Sequence, residues 1–388
     1  MRVLMVSKAC VVGAYQKKLE ELARMSQPPA YAASKGEGSV SPKASPEPVE
    51  LTVVVPPYWR DERGTLNLER RHTTGYELIV EPMAFNGHFH LHFYPGLGKQ
   101  IRRVQPDLVH IDEEPYNLAT AHTLWLARRA GARSLFFSWQ NIQRRYPLPF
   151  RLMEGYVLNR VDYAIVGNQE SARVWQAKGY SGPLAIIPQF GVDPEIFYPE
   201  SRPAGRGFVV GYVGRLVEEK GVDLLLEALA GLEGMWRAYI LGSGPIKDDL
   251  QARARRLGLV DRVSFDEWIP SDQMPAYYRQ LDALVVPSRT RPNWKEQFGR
   301  VLVESMACGV PVIGSNSGEI PSVIGDAGLI FPEGRVDRLR EHLAQLLADG
   351  HLRADLARRG RERVLAHYTQ AQIAAQTYQV YRSVLSIQ

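Results

Sequence analysis

Along this chain, short runs of aliphatic and β-branched residues alternate with longer stretches in which apolar positions recur every three or four residues. The short runs predict strands at 2–6, 51–55, 78–81, 108–111, 134–138 and 163–166. Helical periodicity fills the gaps, as at 15–24, 117–130 and 170–178. The pattern breaks at 188–206, a stretch rich in Pro and Gly with no period, and then starts afresh. New strands are predicted at 208–213, 237–241, 262–265, 283–286, 311–313 and 329–331, again with helices between them. Strand–helix–strand order needs crossover connections, so each half reads as a parallel sheet with helices on both faces. The expected fold class is α/β, with two doubly wound, Rossmann-like domains facing each other across a cleft.

The expected organisation is an N-terminal domain over 1–188, a linker over 189–206 and a C-terminal domain over 207–367. A last helix over 368–388, carrying Tyr378 and Tyr381, has no strand after it and is placed to cross back to the first domain. Residues 26–49 break the pattern: rich in Ser, Pro, Ala and Gly and poor in aliphatics, they read as a disordered insertion.

Composition narrows the class. At 388 residues and 45% hydrophobic content the chain is long enough for two separate cores. No apolar run approaches the roughly 18–20 residues of a membrane span, and the N-terminus reads as a buried strand and loop. Cytoplasmic placement is therefore expected, and Cys10 and Cys308 are expected as free thiols, with a single disulfide as the alternative. The net charge of +5 is uneven: residues 1–188 hold 23 Lys/Arg against 17 Asp/Glu, while 189–388 hold 24 against 25. A basic first half suits phosphates or an anionic membrane surface contacted peripherally, although dispersed solvated arginines give the same count. With no basic tract interleaved with aromatics, a nucleic-acid partner is not expected.

The chemistry gathers in the second half. After the strand at 208–213 come Gly214, Arg215 and Leu216, then Glu218, Glu219, Lys220, Gly221 and a helix. A strand, a glycine turn and a helix bring backbone N–H groups to an anion, and Arg215 and Lys220 bracket that turn. Two such cations neutralise a diphosphate without a metal; a surface Glu–Lys pair is the plainer reading. The next strand ends in Leu241-Gly242-Ser243-Gly244-Pro245, where backbone approaches a ligand closely or simply turns. No complete G-x-G-x-x-G is present, which argues against a dinucleotide-dependent dehydrogenase. Glu296 and Glu304 stand eight residues apart, around a helix predicted from Gly299 to Gly309. Eight residues of helical rise span about 12 Å, a distance that suits carboxylates gripping opposite ends of a sugar nucleotide.

The segments GRLVEEKGVD, LGSGP and EQFGRVLVESMACGVPVIGSNSGEIPSVIGDAGLIF together resemble the C-terminal domain of the retaining glycosyltransferases called family 4. The likeness covers most of 208–365 and is looser before it, resting on Gly13, PDLVHIDEEP and IPQFGVDPEIFYP. It implies the two-domain GT-B fold and a UDP-, GDP- or ADP-sugar as donor substrate. It also implies retention of anomeric configuration, no cofactor and no metal.

On this resemblance Arg215 and Lys220 hold the donor diphosphate, Glu304 the ribose and Glu296 the transferred sugar. The backbone of Phe298, Gly299, Arg300 and Val301 meets the sugar and distal phosphate, with Gly214 and Gly242 beside it. Trp268 and Ile269 border the base, and Gly13 brings the first domain to the donor phosphate. Where many relatives carry H-x-H, this chain reads His110-Ile111-Asp112, so Asp112 replaces the pocket histidine. Gln189-Phe190-Gly191 replaces the frequent N-G-V, without an assignable role at this level. His110, Glu113, Gln140 and Asn141 are the acceptor-side candidates, and the acceptor itself is not identified. His88, His90 and His92 alternate in NGHFHLHFYPG, so on a strand they share one face and line a polar edge, with a zinc site as the less favoured alternative. A non-hydrolysing nucleotide-sugar 2-epimerase and a non-catalytic sugar-nucleotide sensor are the competing readings.

Overall fold

The β-branched runs assemble into two parallel sheets. The computed structural model describes residues 1–25, 48–61, 64–200, 207–267 and 269–387. Residues 26–47 of the expected insertion, 201–206 of the expected linker and Trp268 thus lie outside the described residues. The chain divides into two compact units, one formed by Met1–Phe190 with Gln370–Gln388 and the other by Gly191–Thr369.

The first unit runs β1 (Arg2–Val6), α1 (Lys17–Arg24), β2 (Glu50–Val55), the hairpin β3–β4 (Tyr58–Asp61 and Gly64–Asn67) and β5 (Glu77–Val80). It continues α2 (Leu97–Val104), β6 (Leu108–Ile111), α3 (Leu118–Arg129), β7 (Arg133–Ser138), α4 (Phe150–Leu158), β8 (Tyr163–Val166), α5 (Gln169–Ala177) and β9 (Leu184–Ile186). The second begins β10 (Phe208–Val213), α6 (Val222–Ala230), β11 (Trp236–Leu241), α7 (Lys247–Arg256), β12 (Val263–Asp266), α8 (Met274–Tyr278) and β13 (Ala283–Val286). It ends α9 (Arg300–Ala307), β14 (Val312–Ser315), α10 (Ile320–Ile324), β15 (Leu329–Phe331), α11 (Val336–Ala348) and α12 (Gly350–His367), and α13 (Gln370–Leu385) then rejoins the first unit.

The strand orders are β5-β2-β1-β6-β7-β8-β9 and β12-β11-β10-β13-β14-β15. Each runs outward from the first strand of its unit through two more strands and then resumes on the other side of that first strand, so switch points open at the C-terminal ends of β1/β6 and β10/β13, where ligands bind in such sheets. Alternation along the strands decides which residues face which helices. In the first unit Val3, Met5 and Leu108 pack with Leu19 of α1 and Tyr381 of α13, while Leu4, Val6 and Val109 pack with Leu97, Leu124 and Trp175. In the second unit Val210, Tyr212, Ile240 and Val285 are buried with Leu225, Leu229 and Leu343.

All twelve predicted strands form, six of them with the predicted bounds. The hairpin β3–β4 and β9 were not legible: YWRD and GTLN carry few aliphatics and are largely exposed, and β9 is a three-residue edge strand. The histidine expectation is overturned. Residues 88–92 form a turn in which the His92 amide donates to the His88 carbonyl (3.1 Å), not a strand. The rings therefore part: His92 is buried, His90 half-buried and His88 exposed.

Candidate functional site

In the second unit two of the expected residues, Lys220 and Glu296, meet beside the β10/β13 switch point. Lys220 lies in a short 3-10 turn after β10, and its Nζ donates to Glu296 Oε2 at 2.6 Å. Ser288, two residues beyond β13, donates its hydroxyl to the same oxygen at 3.2 Å, and Lys220 Nζ stands 4.7 Å from the Trp294 ring centroid. Glu296 is buried, so the pair sits in reduced dielectric, where a charge-assisted hydrogen bond gains strength. Its backbone carbonyl accepts from the Glu319 amide at 3.1 Å, which ties the loop after β14 to it. Arg215 is exposed beside Gly214, and its carbonyl accepts from the buried Tyr212 hydroxyl at 2.8 Å.

Two glycines are required by geometry. A Cβ on Gly242 would fall 1.9 Å from the Gly214 carbonyl oxygen, so the two glycine turns lie backbone against backbone. Gly299 caps α9 in the left-handed region, φ 73°, a conformation that other L-residues adopt only with strain. This break corrects one expectation: α9 starts at Arg300, so no helix runs through all seven residues between Glu296 and Glu304, and the 12 Å rise does not apply. Glu304 is buried on α9, accepting from Arg300 Nε (2.6 Å) and Tyr278 Oη (2.7 Å). Burial and the neighbouring Glu304 push the Tyr278 hydroxyl well above its ordinary pKa, which keeps it a donor. Each carboxylate oxygen has a second lone pair, so Glu304 is oriented without being saturated. Phe298 is buried, with its ring centroid 5.8 Å from that of Tyr368, while Val301 and Ile269 are half-buried.

The first unit gathers its polar groups at the β1/β6 switch point, in two networks. Asp112 is 3% exposed; its Oδ2 accepts from Ser7 Oγ (2.6 Å) and its Oδ1 from Gln189 Nε2 (2.9 Å). Burial raises its pKa, against the pull of Lys18, Ser7 and Gln189. Gln189 also accepts from Trp139 Nε1 (2.9 Å), its carbonyl accepts from the buried Lys18 ammonium (3.1 Å), and Phe190 stacks on Tyr15 with centroids 3.9 Å apart. Gln189 thus ties down the Asp112 side chain, while Phe190 packs on Tyr15 and Lys18.

The second network is Lys8, Glu113 and His92. Lys8 Nζ donates to Glu113 Oε2, and His92 Nε2 lies 3.3 Å from that oxygen. Burial alone would raise the Glu113 pKa, but Lys8 and His92 override it and hold it at about 2. Glu114 goes the other way: burial lifts it to about 7, although Ser138 Oγ (2.5 Å) and the Trp139 amide (2.8 Å) donate to it.

The other acceptor-side candidates separate. His110 faces α13, its Nδ1 2.7 Å from Tyr381 Oη, and burial then Lys18 push its pKa well below the ordinary value. That is an inward, packing position. Gln140 and Asn141 are buried in the loop after β7, where the Gln140 side chain donates to the Ile142 carbonyl (2.9 Å) and accepts from Tyr146 Oη (3.4 Å). The Gly13 amide donates to Glu69 Oε2 at 3.1 Å. Sequence reasoning missed Ser7, Lys8 and Ser288, although each closely follows a predicted strand, where the strand-end rule points. Lys18 and Tyr278 gave no signal, because both look like ordinary helix residues until the tertiary fold buries them.

Comparison with known proteins now adds to this geometry. Residues 195–363 match the model of the family described as glycosyl transferases group 1. A GDP-mannose-dependent alpha-(1-6)-phosphatidylinositol monomannoside mannosyltransferase of Mycolicibacterium smegmatis is 32% identical over 262 residues, 63% of this chain and 68% of that one. A D-inositol 3-phosphate glycosyltransferase of Mycobacteroides abscessus is 30% identical over 300 residues, 73% of this chain and 61% of its own length. Other such relatives are spanned over little more than half of their length, 58% and 52% in two cases. Sucrose-phosphate synthase from Thermosynechococcus elongatus superposes with a TM-score of 0.68 at 21% identity, covering 100% of this chain and 99% of that one. Anabaena HepE in complex with UDP gives a TM-score of 0.70 at 18% identity, covering 99% and 100%. The fold is that of the GT-B glycosyltransferases, and the chain belongs to the glycosyl transferases group 1 family.

Proposed function

We propose that this protein is a retaining, metal-independent glycosyltransferase that moves a sugar from a nucleotide diphosphate-sugar to a lipid, glycan or small-molecule acceptor. The observation that carries this reading is the Lys220–Glu296 pair, 2.6 Å apart at the β10/β13 switch point, beside glycine turns with closely apposed backbones. In the reading, a diphosphate takes Lys220 and Arg215 as counter-ions, and Glu296, released from Lys220, accepts a sugar hydroxyl. Glu304, held by Tyr278 and Arg300, grips the ribose. As the glycosidic bond loosens, the leaving phosphate accepts the acceptor's proton on the same face, so the anomeric configuration is kept. Positioning and electrostatic stabilisation supply most of the acceleration in such a scheme. Asp112 enters as an anchor of the Ser7 and Gln189 loops that also places negative charge near the switch point of its unit.

The relatives do not agree on a base: one name specifies GDP-mannose, and one solved neighbour holds UDP. The excess of basic residues in the first half fits contact with an anionic surface. No helix among the described residues is long and apolar enough to cross a membrane. The test is thermal stability with UDP, GDP, ADP and their sugar conjugates in the presence of EDTA, for wild type and for Arg215→Ala/Lys220→Ala. A ligand at 100 times its Kd adds about 2.7 kcal/mol. One nucleotide should stabilise wild type and not the double variant. Stabilisation of neither by millimolar ligand overturns the donor site.

A further inference from the structure

The end of the connection from β7 to α4 and the first turn of α4 together read QRRYPLPFRL over 143–152, and their side chains divide cleanly. Two aromatics anchor it. Tyr146 stacks on Tyr116 with centroids 4.2 Å apart and carries the Lys178 ammonium 4.9 Å from its own centroid. Phe150 packs against His90 at 4.9 Å. The residues around these anchors point outward. Arg144, Arg145 and Arg151 are exposed, and Leu148 and Leu152, at 60% and 66%, are the most exposed leucines among the described residues. The turn that supplies His90 adds Phe89 and Leu91 on either side of it, both exposed.

A single exposed leucine needs no explanation. This group differs in its company. From residue 115 to residue 153 the sequence contains no Asp or Glu, so the exposed arginines and leucines belong to a stretch that is basic by composition. Guanidinium groups beside aliphatic tips are the composition of an interfacial surface: the charges collect anionic headgroups while the apolar ends enter the acyl boundary. The inward anchors matter as much, because a loop already fixed by Tyr146 and Phe150 loses little conformational entropy on binding.

We propose that this face, formed by Arg144, Arg145, Leu148, Arg151 and Leu152, docks the first unit on an anionic bilayer surface. It deepens the acceptor side of the transfer reading by favouring acceptors presented from a membrane, but it is tested without donor, so each can fail alone. The experiment is co-sedimentation of the full chain with phosphatidylcholine vesicles, with and without phosphatidylglycerol. Wild type should partition onto the anionic vesicles and not the neutral ones. At roughly 1 kcal/mol per basic residue near such a surface, Arg144→Gln/Arg145→Gln/Arg151→Gln should lower the partition coefficient about 10²-fold. Leu148→Ser/Leu152→Ser should lower it about tenfold and leave a residual binding that salt removes. All five side chains are exposed, so the variants should melt as wild type does. Arg128→Gln/Arg129→Gln on α3 serves as the control with a comparable change in charge. Equal binding to both vesicle types, binding to neither, an unchanged triple variant, or an equal loss in the control would overturn the proposal.

Discussion

Glu296 and Lys220 hold each other at 2.6 Å, so neither can be altered without changing the other's state. In the proposed reaction Glu296 belongs to the sugar and Lys220 to the phosphates. Glu296→Ala should therefore cut transfer by about 10²–10³-fold, the range seen when a preorganised polar contact to the reacting group is lost. Nucleotide diphosphate binding should stay level or tighten, because Lys220 is released; parallel loss of both in titration calorimetry would remove the sugar-contact role. The adjacent carboxylates of the first unit make opposite pH predictions. Glu114, raised from 4.5 to about 7 by burial, keeps in the folded state a proton that the unfolded chain has lost. Its contribution to stability is therefore lost as pH rises from about 4.5 to about 7. Glu114→Gln should flatten that slope and raise the melting temperature by a few degrees at pH 8, with little change at pH 4.5. Glu113, lowered from 4.5 to about 2, stabilises above pH 4.5 and loses that contribution as pH falls toward 2.

At the scale of elements, the site is made of strand ends and the turns that follow them. β10 and β11 are followed by Gly214 and Gly242, and Gly242 lies against the Gly214 carbonyl because it has no Cβ. Gly242→Ala would drive a methyl into the Gly214 carbonyl oxygen at 1.9 Å, backbone that cannot rotate away. The expected cost is about 3 kcal/mol or more, read as a lower denaturation midpoint together with loss of nucleotide stabilisation. Gly299→Ala should be milder, about 1–2 kcal/mol for the left-handed residue, since its nearest neighbour is the movable Leu302 side chain at 2.9 Å. The central strands were readable because they are buried on both faces and appear as unbroken aliphatic runs. The hairpin β3–β4 and the turn at residues 88–92 were not. Alternating His and aromatic residues look like a strand, and only the Ala84–Phe93 bridge and the bond from His92 to His88 show the backbone turning back.

For the whole molecule, the last helix has consequences out of proportion to its length. Ile373, Ala374, Tyr378, Tyr381 and Val384 of α13 are buried in the core that also holds β1 and α1, and Tyr381 meets His110. A chain ending at residue 369 should therefore lose the melting transition of the first unit, or show it many degrees lower in calorimetry. The second unit, whose core contains none of these residues, should retain its transition and its nucleotide response. Loss of both transitions together would show that the two units do not fold separately.

The amino-acid sequence by itself determined the α/β class, the twelve strands and the places where phosphate chemistry was to be sought. These follow from local rules: burial on both faces makes a continuous apolar run, and glycine at a strand end marks close backbone approach. Tertiary structure alone decided how the charges are partnered. Nothing near Asp112 in sequence announces that Ser7 and Gln189 take its oxygens, or that Lys8 and His92 hold Glu113 ionised while Glu114 next to it is pushed toward neutrality. Those outcomes depend on burial and on partners about 20 to 100 residues away, which meet only when the parallel sheet brings the ends of β1 and β6 side by side. Desolvation and Coulomb interactions act through space, whereas sequence patterns report only neighbours along the chain.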